Sequence, residues 1–123
     1  MVLIARSTEG LRETKTLVLA GAPGARVHLL QADMGYVDQL HSKFFEAVKL
    51  VESRTHQQAV LVHNAAMVGD ITKPIKDHTN PQTVHEYMAA NVTSVFVLTS
   101  LFLSHFKEGH RTIINVTSLL AKN

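Results

Sequence analysis

Ala59-Val60-Leu61-Val62-His63-Asn64-Ala65-Ala66-Met67-Val68-Gly69-Asp70 is the stretch on which the reading of the fold turns. Apolar residues run without alternation into His63 and Asn64 and then into small residues, the pattern of a strand buried on both faces that stops at a loop. Strands of that kind belong to parallel sheets. In an open parallel sheet, ligands bind in the crevice beyond the carboxyl ends of the strands, so His63 and Asn64 stand where a site belongs.

Outward from this strand, the same alternation of elements repeats. Val2-Leu3-Ile4-Ala5 reads as a strand ending at Arg6, with Ser7 placed to cap the weakly marked helix that follows and Gly21-Ala22-Pro23-Gly24 placed to end it. Val27 to Leu30 is a second strand, ending at Gln31-Ala32-Asp33. Val37, Leu40, Phe44, Ala47 and Val51 are spaced as one face of a helix. After a polar loop, Asn80 and Pro81 open a long helix with Val84, Met88, Asn91, Val95, Leu98, Phe102 and Phe106 on one stripe and Gly109 as its stop. Asn91 interrupts that stripe, and a buried amide without partners costs about 1–3 kcal/mol, so the pattern requires partners for it. Thr112 to Val116 is a last strand, with Thr117 and Ser118 at its carboxyl end. Strand and helix in strict alternation define an α/β fold with a parallel sheet and right-handed crossovers. Asp33, Asn64 and Ser118 then fall at strand ends on one edge, with Asn91 on a neighbouring helix.

Composition narrows the function classes. A chain of 123 residues, 46% hydrophobic and 18% charged, has room for a core and ordinary globular balance. Its 12 basic and 10 acidic residues are scattered, which gives no basic patch for nucleic acid. No apolar run reads as long enough to span a bilayer, the start of the chain does not read as a signal peptide, and cysteine is absent, so the expectation is a cytoplasmic setting with no disulfide framework. The eight histidines show no metal-ligand spacing. Asn91-Val92-Thr93 and Asn115-Val116-Thr117 match a glycosylation pattern but fall in a predicted helix and a predicted strand.

Singly, each polar residue has two readings. Arg6 is a solvated charge or a bidentate ligand of a phosphate. Asp33 starts a turn or accepts from an adenine amino group. Asn64 ties strands together or touches a cofactor, and Asn91 holds a water in a helix kink or serves a proton relay. Ser118 lacks a Gly-x-Ser-x-Gly elbow, which argues against a hydrolase nucleophile and leaves it as a hydroxyl donor to a carbonyl.

Together, Ala5-Arg6, Ala32-Asp33, His63-Asn64-Ala65-Ala66, Asn91 and Ile114-Asn115-Val116-Thr117-Ser118 resemble, in order and approximate spacing, the short-chain dehydrogenase/reductase family. Asn64 to Lys73, Tyr87 to Ser94 and Leu98-Thr99-Ser100 are similar to its pterin-reducing members. The resemblance implies an NADP-dependent carbonyl reductase acting on a pterin with a side-chain ketone, in tetrahydrobiopterin biosynthesis. It implies that Arg6 binds the 2′-phosphate with Ser7 beside it, that Asp33 and Met34 flank the adenine, and that Asn64 and Ala65 meet the cofactor at the sheet edge. It further implies that Ser118 polarises the carbonyl, that Asn91 positions a relay water, and that the helix from 81 to 107 contributes to a homodimer. His63 and Ala66 depart from the family's usual Asn-Asn-Ala-Gly, and the Ala66 Cβ is expected to crowd a close ligand.

By the same resemblance, residues 1–123 form the middle of a Rossmann-type doubly wound parallel sheet, lacking the first strand with its glycine-rich phosphate turn and the C-terminal strands. Tyr-x-x-x-Lys is also missing, since neither Tyr36 nor Tyr87 has a lysine four residues on. Three expectations follow for this stretch alone. Dinucleotide affinity is poor without a helix N-terminus to hold the pyrophosphate. Reduction loses general acid catalysis worth roughly 10² to 10⁴ in rate. In the order 3-2-1-4-5 the first strand lies centrally, so its absence separates two strand pairs and leaves apolar edges in water. The alternative to catalysis is a remnant that acts by associating with a full-length subunit.

Overall fold

The computed structural model describes residues 1–51, 57–70 and 72–117. In chain order these form β1 (Val2–Ala5), α1 (Thr8–Gly21), β2 (His28–Gln31), α2 (Leu40–Lys49), β3 (Gln58–His63), α3 (Pro81–Met88), α4 (Ser94–His105) and β4 (His110–Asn115). Short 3-10 turns lie at Val37–Gln39 and Ile75–Asp77, and a π-helical segment, Ala89–Thr93, joins α3 to α4 without a break.

Helix starts follow local chemistry. The Ser7 hydroxyl accepts from the Gly10 N–H at 3.0 Å, and the Asn80 side chain accepts from the Gln82 N–H at 3.0 Å with Pro81 behind it. Each satisfies one of the first-turn donors that a helix leaves unpaired. Both caps are those expected from the sequence.

The described strands pair two and two. β1 runs parallel to β2, from Val2 opposite His28 to Ala5 opposite Gln31, and β3 runs parallel to β4, from Gln58 opposite His110 to His63 opposite Asn115. No ladder joins the two pairs among the described residues. This is the separation expected when a central strand is not among them.

The main core lies between α2, α4 and one face of the β3–β4 pair. Leu40, Phe44, Ala47 and Val48 form the buried stripe of α2, and Phe44 and Val48 meet Phe102 of α4 over Ala59, Leu61 and Ile113. Full burial of side chains such as Leu40, Phe44, Val48 and Phe102 contributes about 1.5–3 kcal/mol each.

Three expectations need correction. β3 is covered on one face only: Ala59, Leu61 and His63 turn inward, while Val60 and Val62 stay 48% and 52% exposed. Continuous apolar sequence suits burial on both sides, but among the described residues the helices cover a single side. The helical stripe also fails in its first half, because Val84 and Met88 are exposed. The cause is the π segment, which inserts a residue and turns the following side chains to a new phase. Finally, the continuous helix Pro81–His105 has 25 residues with a window of mean hydropathy 1.5, long and apolar enough to cross a membrane by length and composition. Interspersed Thr and Ser break the apolar run while leaving the mean hydropathy high.

The π segment has a local cause. The Ser94 N–H reaches back to the Ala89 carbonyl, and the Ser94 hydroxyl donates to the Ala90 carbonyl at 2.6 Å, within a buried site. One side chain thus supplies the bond that the altered ladder no longer makes.

Candidate functional site

Two groups of polar residues stand at the carboxyl ends of the strand pairs. The first is a groove of about 310 Å³ lined by Arg6, Gln31, Ala32, Asp33, Tyr36 and Gln39. β1 and β2 build it: the Ala32 N–H donates to the Ala5 carbonyl at 3.1 Å, and the Gln31 side-chain amide donates to the Arg6 carbonyl at 2.9 Å. Arg6 is thereby fixed through its backbone while its guanidinium faces solvent. Asp33 Oδ1 accepts from the Gly35 N–H at 2.9 Å, so one oxygen already serves the turn.

Other residues expected here are placed differently. The Ser7 hydroxyl is engaged as the α1 cap. Met34 follows Asp33 in the turn, half-buried and outside the groove lining.

The second group surrounds the end of β3. His63 Nε2 lies 3.0 Å from Thr99 Oγ1 of α4, and the Val116 N–H donates to the His63 carbonyl at 3.0 Å. Partial burial lowers the His63 pKa below its ordinary 6.5 and favours the neutral ring. Asn64 and Ala65 follow, both exposed. Asn91, in the π segment, accepts from the Met67 N–H at 2.8 Å and donates to the Met67 carbonyl at 2.7 Å. The required partners for Asn91 are therefore backbone groups of the loop after β3. The residue itself is exposed and lies off the core face.

The two groups share a rim. The Val37–Gln39 turn, whose Gln39 lines the groove, touches the π segment that carries Asn91. That contact brings the groove of Arg6 and Asp33, at the carboxyl ends of β1 and β2, next to the helical segment whose Asn91 holds the loop of Asn64 and Ala65 after β3. Ser118 lies outside the described residues. The last residue of β4, Asn115, pairs with His63 at the end of β3.

Sequence reasoning missed Gln31, Tyr36 and Gln39 in the groove and Tyr87 and Thr99 behind the loop. Gln31 was findable, because it ends β2 opposite Ala5. Tyr87 lies four residues before Asn91 and so on the same helical face. Nothing local marks Thr99, whose role depends on the phase set by the π segment.

Parallel strand–helix units whose loops converge on one rim are the Rossmann-like arrangement of nucleotide-binding α/β proteins. This chain belongs to the short chain dehydrogenase family, whose model matches it over residues 1–123. Sepiapterin reductase from Bos taurus is 34% identical over 98% of this chain and 46% of its own length. The Mus musculus and Xenopus laevis sepiapterin reductases are 32% and 30% identical over the same share of this chain, and 48% and 47% of theirs. The chain therefore spans a little under half the length of these relatives.

Among solved structures, the KRED1-Pglu enzyme superposes with a TM-score of 0.72 at 22% identity, over 99% of this chain and 46% of that one. YwfH, described as an NADPH dependent reductase involved in bacilysin biosynthesis, gives 0.63 at 22% over 99% and 46%. The closed form of serine dehydrogenase complexed with NADP+ gives 0.63 at 18% over 99% and 45%. These likenesses establish the fold.

Proposed function

We propose that the chain forms part of a cytoplasmic, sepiapterin reductase-like carbonyl reductase that uses NADP and acts on a pterin with a side-chain ketone, in tetrahydrobiopterin biosynthesis. The observation that carries this reading is the shared rim, where the Arg6–Asp33 groove adjoins the loop held by Asn91. Similarity to sepiapterin reductases across almost the whole chain supports the substrate class.

The groove fits the adenosine 2′-phosphate half of NADP in size and chemistry. Its volume of about 310 Å³ lies at the small end of ligand sites. The Arg6 guanidinium offers a fork of donors to a phosphate, and Asp33 a carboxylate acceptor to an adenine amino group. The nucleotide, when bound, supplies the hydride. Asn64 and Ala65 meet it at the sheet edge, Asn91 helps to position a relay water, and Ser118 directs its hydroxyl to the substrate carbonyl. Asn91 keeps unused hydrogen-bonding capacity for that task, since an amide has two N–H donors and two lone pairs and only one of each goes to Met67.

The glycine-rich turn and Tyr-x-x-x-Lys are not found in residues 1–123, so this stretch by itself should bind NADPH weakly and reduce carbonyls negligibly. Calorimetric titration with NADPH should give a dissociation constant well above the micromolar range. Low-micromolar binding would contradict the weight placed on the phosphate turn.

A second reading, association through the helix from 81 to 107 with another subunit, is favoured by one observation. Met88, Val92 and Phe96 leave that helix with an exposed apolar stripe, Phe96 being 78% exposed.

A further inference from the structure

The loop after β3 is held at more points than a surface connection needs. At its start, His63 is tied to Thr99; at Met67, both backbone groups are taken by the Asn91 amide. At its far end, the Asp70 N–H donates to the Tyr87 hydroxyl at 2.9 Å. Gly69 lies beneath the same ring with φ +77, and a Cβ there would come within 2.3 Å of Tyr87 Cζ. Glycine is required twice over at this position, by its backbone conformation and by the approach of the ring. Asp70 is then tied forward to Thr72 and Lys73, which closes the loop.

All three holding side chains come from one continuous helix, and the π segment puts them on one face. Thr99 is the twelfth residue after Tyr87. At about 100° per residue, a regular α-helix would carry it roughly 120° away from the Tyr87 face. One inserted residue takes back about 100° of that, leaving Thr99 about 20° from alignment. The helix therefore grips the end of β3 and the following loop with Tyr87, Asn91 and Thr99 together. Between the fixed points His63 and Met67 only Asn64, Ala65 and Ala66 remain, too short a span to wander.

We propose that Tyr87 is a positioning residue: its hydroxyl on Asp70 and its ring on Gly69 complete, with Asn91, a hold on the loop that sets where Asn64 and Ala65 stand at the rim. The role assigned to Asn64 and Ala65 rests on the nucleotide-binding reading above. The hold itself does not.

The test is nuclear magnetic resonance on the 15N-labelled 123-residue chain and its Tyr87→Phe variant, which keeps the ring and removes the hydroxyl. Amide exchange at Asp70 and Met67 should rise by about three- to tenfold in the variant, and the Asn64 and Ala65 resonances should move, while α2 and β3 keep their exchange rates. A change confined to Asp70, or no change, overturns the proposal. Gly69→Ala drives the loop away from an intact Tyr87 and should displace the same resonances; unmoved Asn64 and Ala65 signals there also overturn it.

Titration with NADPH separates the two ideas. Shifts at Asn64 and Ala65 that shrink in Tyr87→Phe, beside undiminished shifts at Arg6 and Asp33, support positioning, and equal shifts in both proteins refute it. If NADPH raised to millimolar concentration, enough to load a weak site, moves no rim resonance in the parent chain, the nucleotide reading falls and the hold stands or falls on the exchange data.

Discussion

His63 shows how a single substitution relative to the usual family pattern alters the physics of a strand end. An amide there would be indifferent to pH, whereas the half-buried imidazole beside Thr99 has its pKa lowered by desolvation. A histidine whose pKa is lower folded than unfolded contributes its full stability above the unfolded value of about 6.5. That contribution is lost as pH falls through the folded value, because the unfolded chain takes up a proton first. The urea midpoint should therefore drop as the pH is lowered through and below about 6.5, and His63→Asn should flatten part of the drop. Identical profiles for the two proteins would remove His63 as a source of pH sensitivity. Asp33 teaches a different lesson at this scale, since turn formation and ligand binding are compatible when the two carboxylate oxygens divide the work.

At the scale of elements, the continuous helix Pro81–His105 does most to shape the site. Its π segment exists because Ser94 can satisfy the Ala90 carbonyl with a hydroxyl while its own N–H goes to Ala89. Ser94 is only 3% exposed, so water cannot easily replace that hydroxyl. Ser94→Ala should cost about 1–3 kcal/mol in urea unfolding and raise exchange at Met67, as the face carrying Asn91 loses its phase. An unchanged midpoint would show that the segment is set by packing alone. The caps at Ser7 and Asn80 were legible because capping chemistry is local. The π segment was not, because a stripe of residues three and four apart looks alike with or without one inserted residue.

At the largest scale, the decisive feature is that the four parallel strands among the described residues form two separate pairs. Val60, Val62 and Ile114 remain exposed on the β3–β4 pair, and Phe96 stands out on the helix. Surfaces of this kind favour association in water. Sedimentation velocity on residues 1–123 by themselves should show concentration-dependent self-association. If Phe96→Lys restores a monomer, the helix is the interface, and if association persists the open strand faces are responsible. A monomer across the concentration range would refute both.

The alternation of strands and helices, the strand ends carrying Arg6, Asp33 and Asn64, and the two helix caps were determined by the sequence alone, because hydrophobic period and capping act over a few residues. The same local information read Asn91 as a buried amide in need of partners, whereas the structure leaves it exposed and gives it partners all the same. Only the tertiary structure decided that those partners are the two backbone groups of Met67, that Tyr87 and Thr99 join the same face, and that β3 is covered on one side. Those outcomes depend on which distant segments meet, and a one-residue shift in helical phase changes them without leaving a mark on the local pattern.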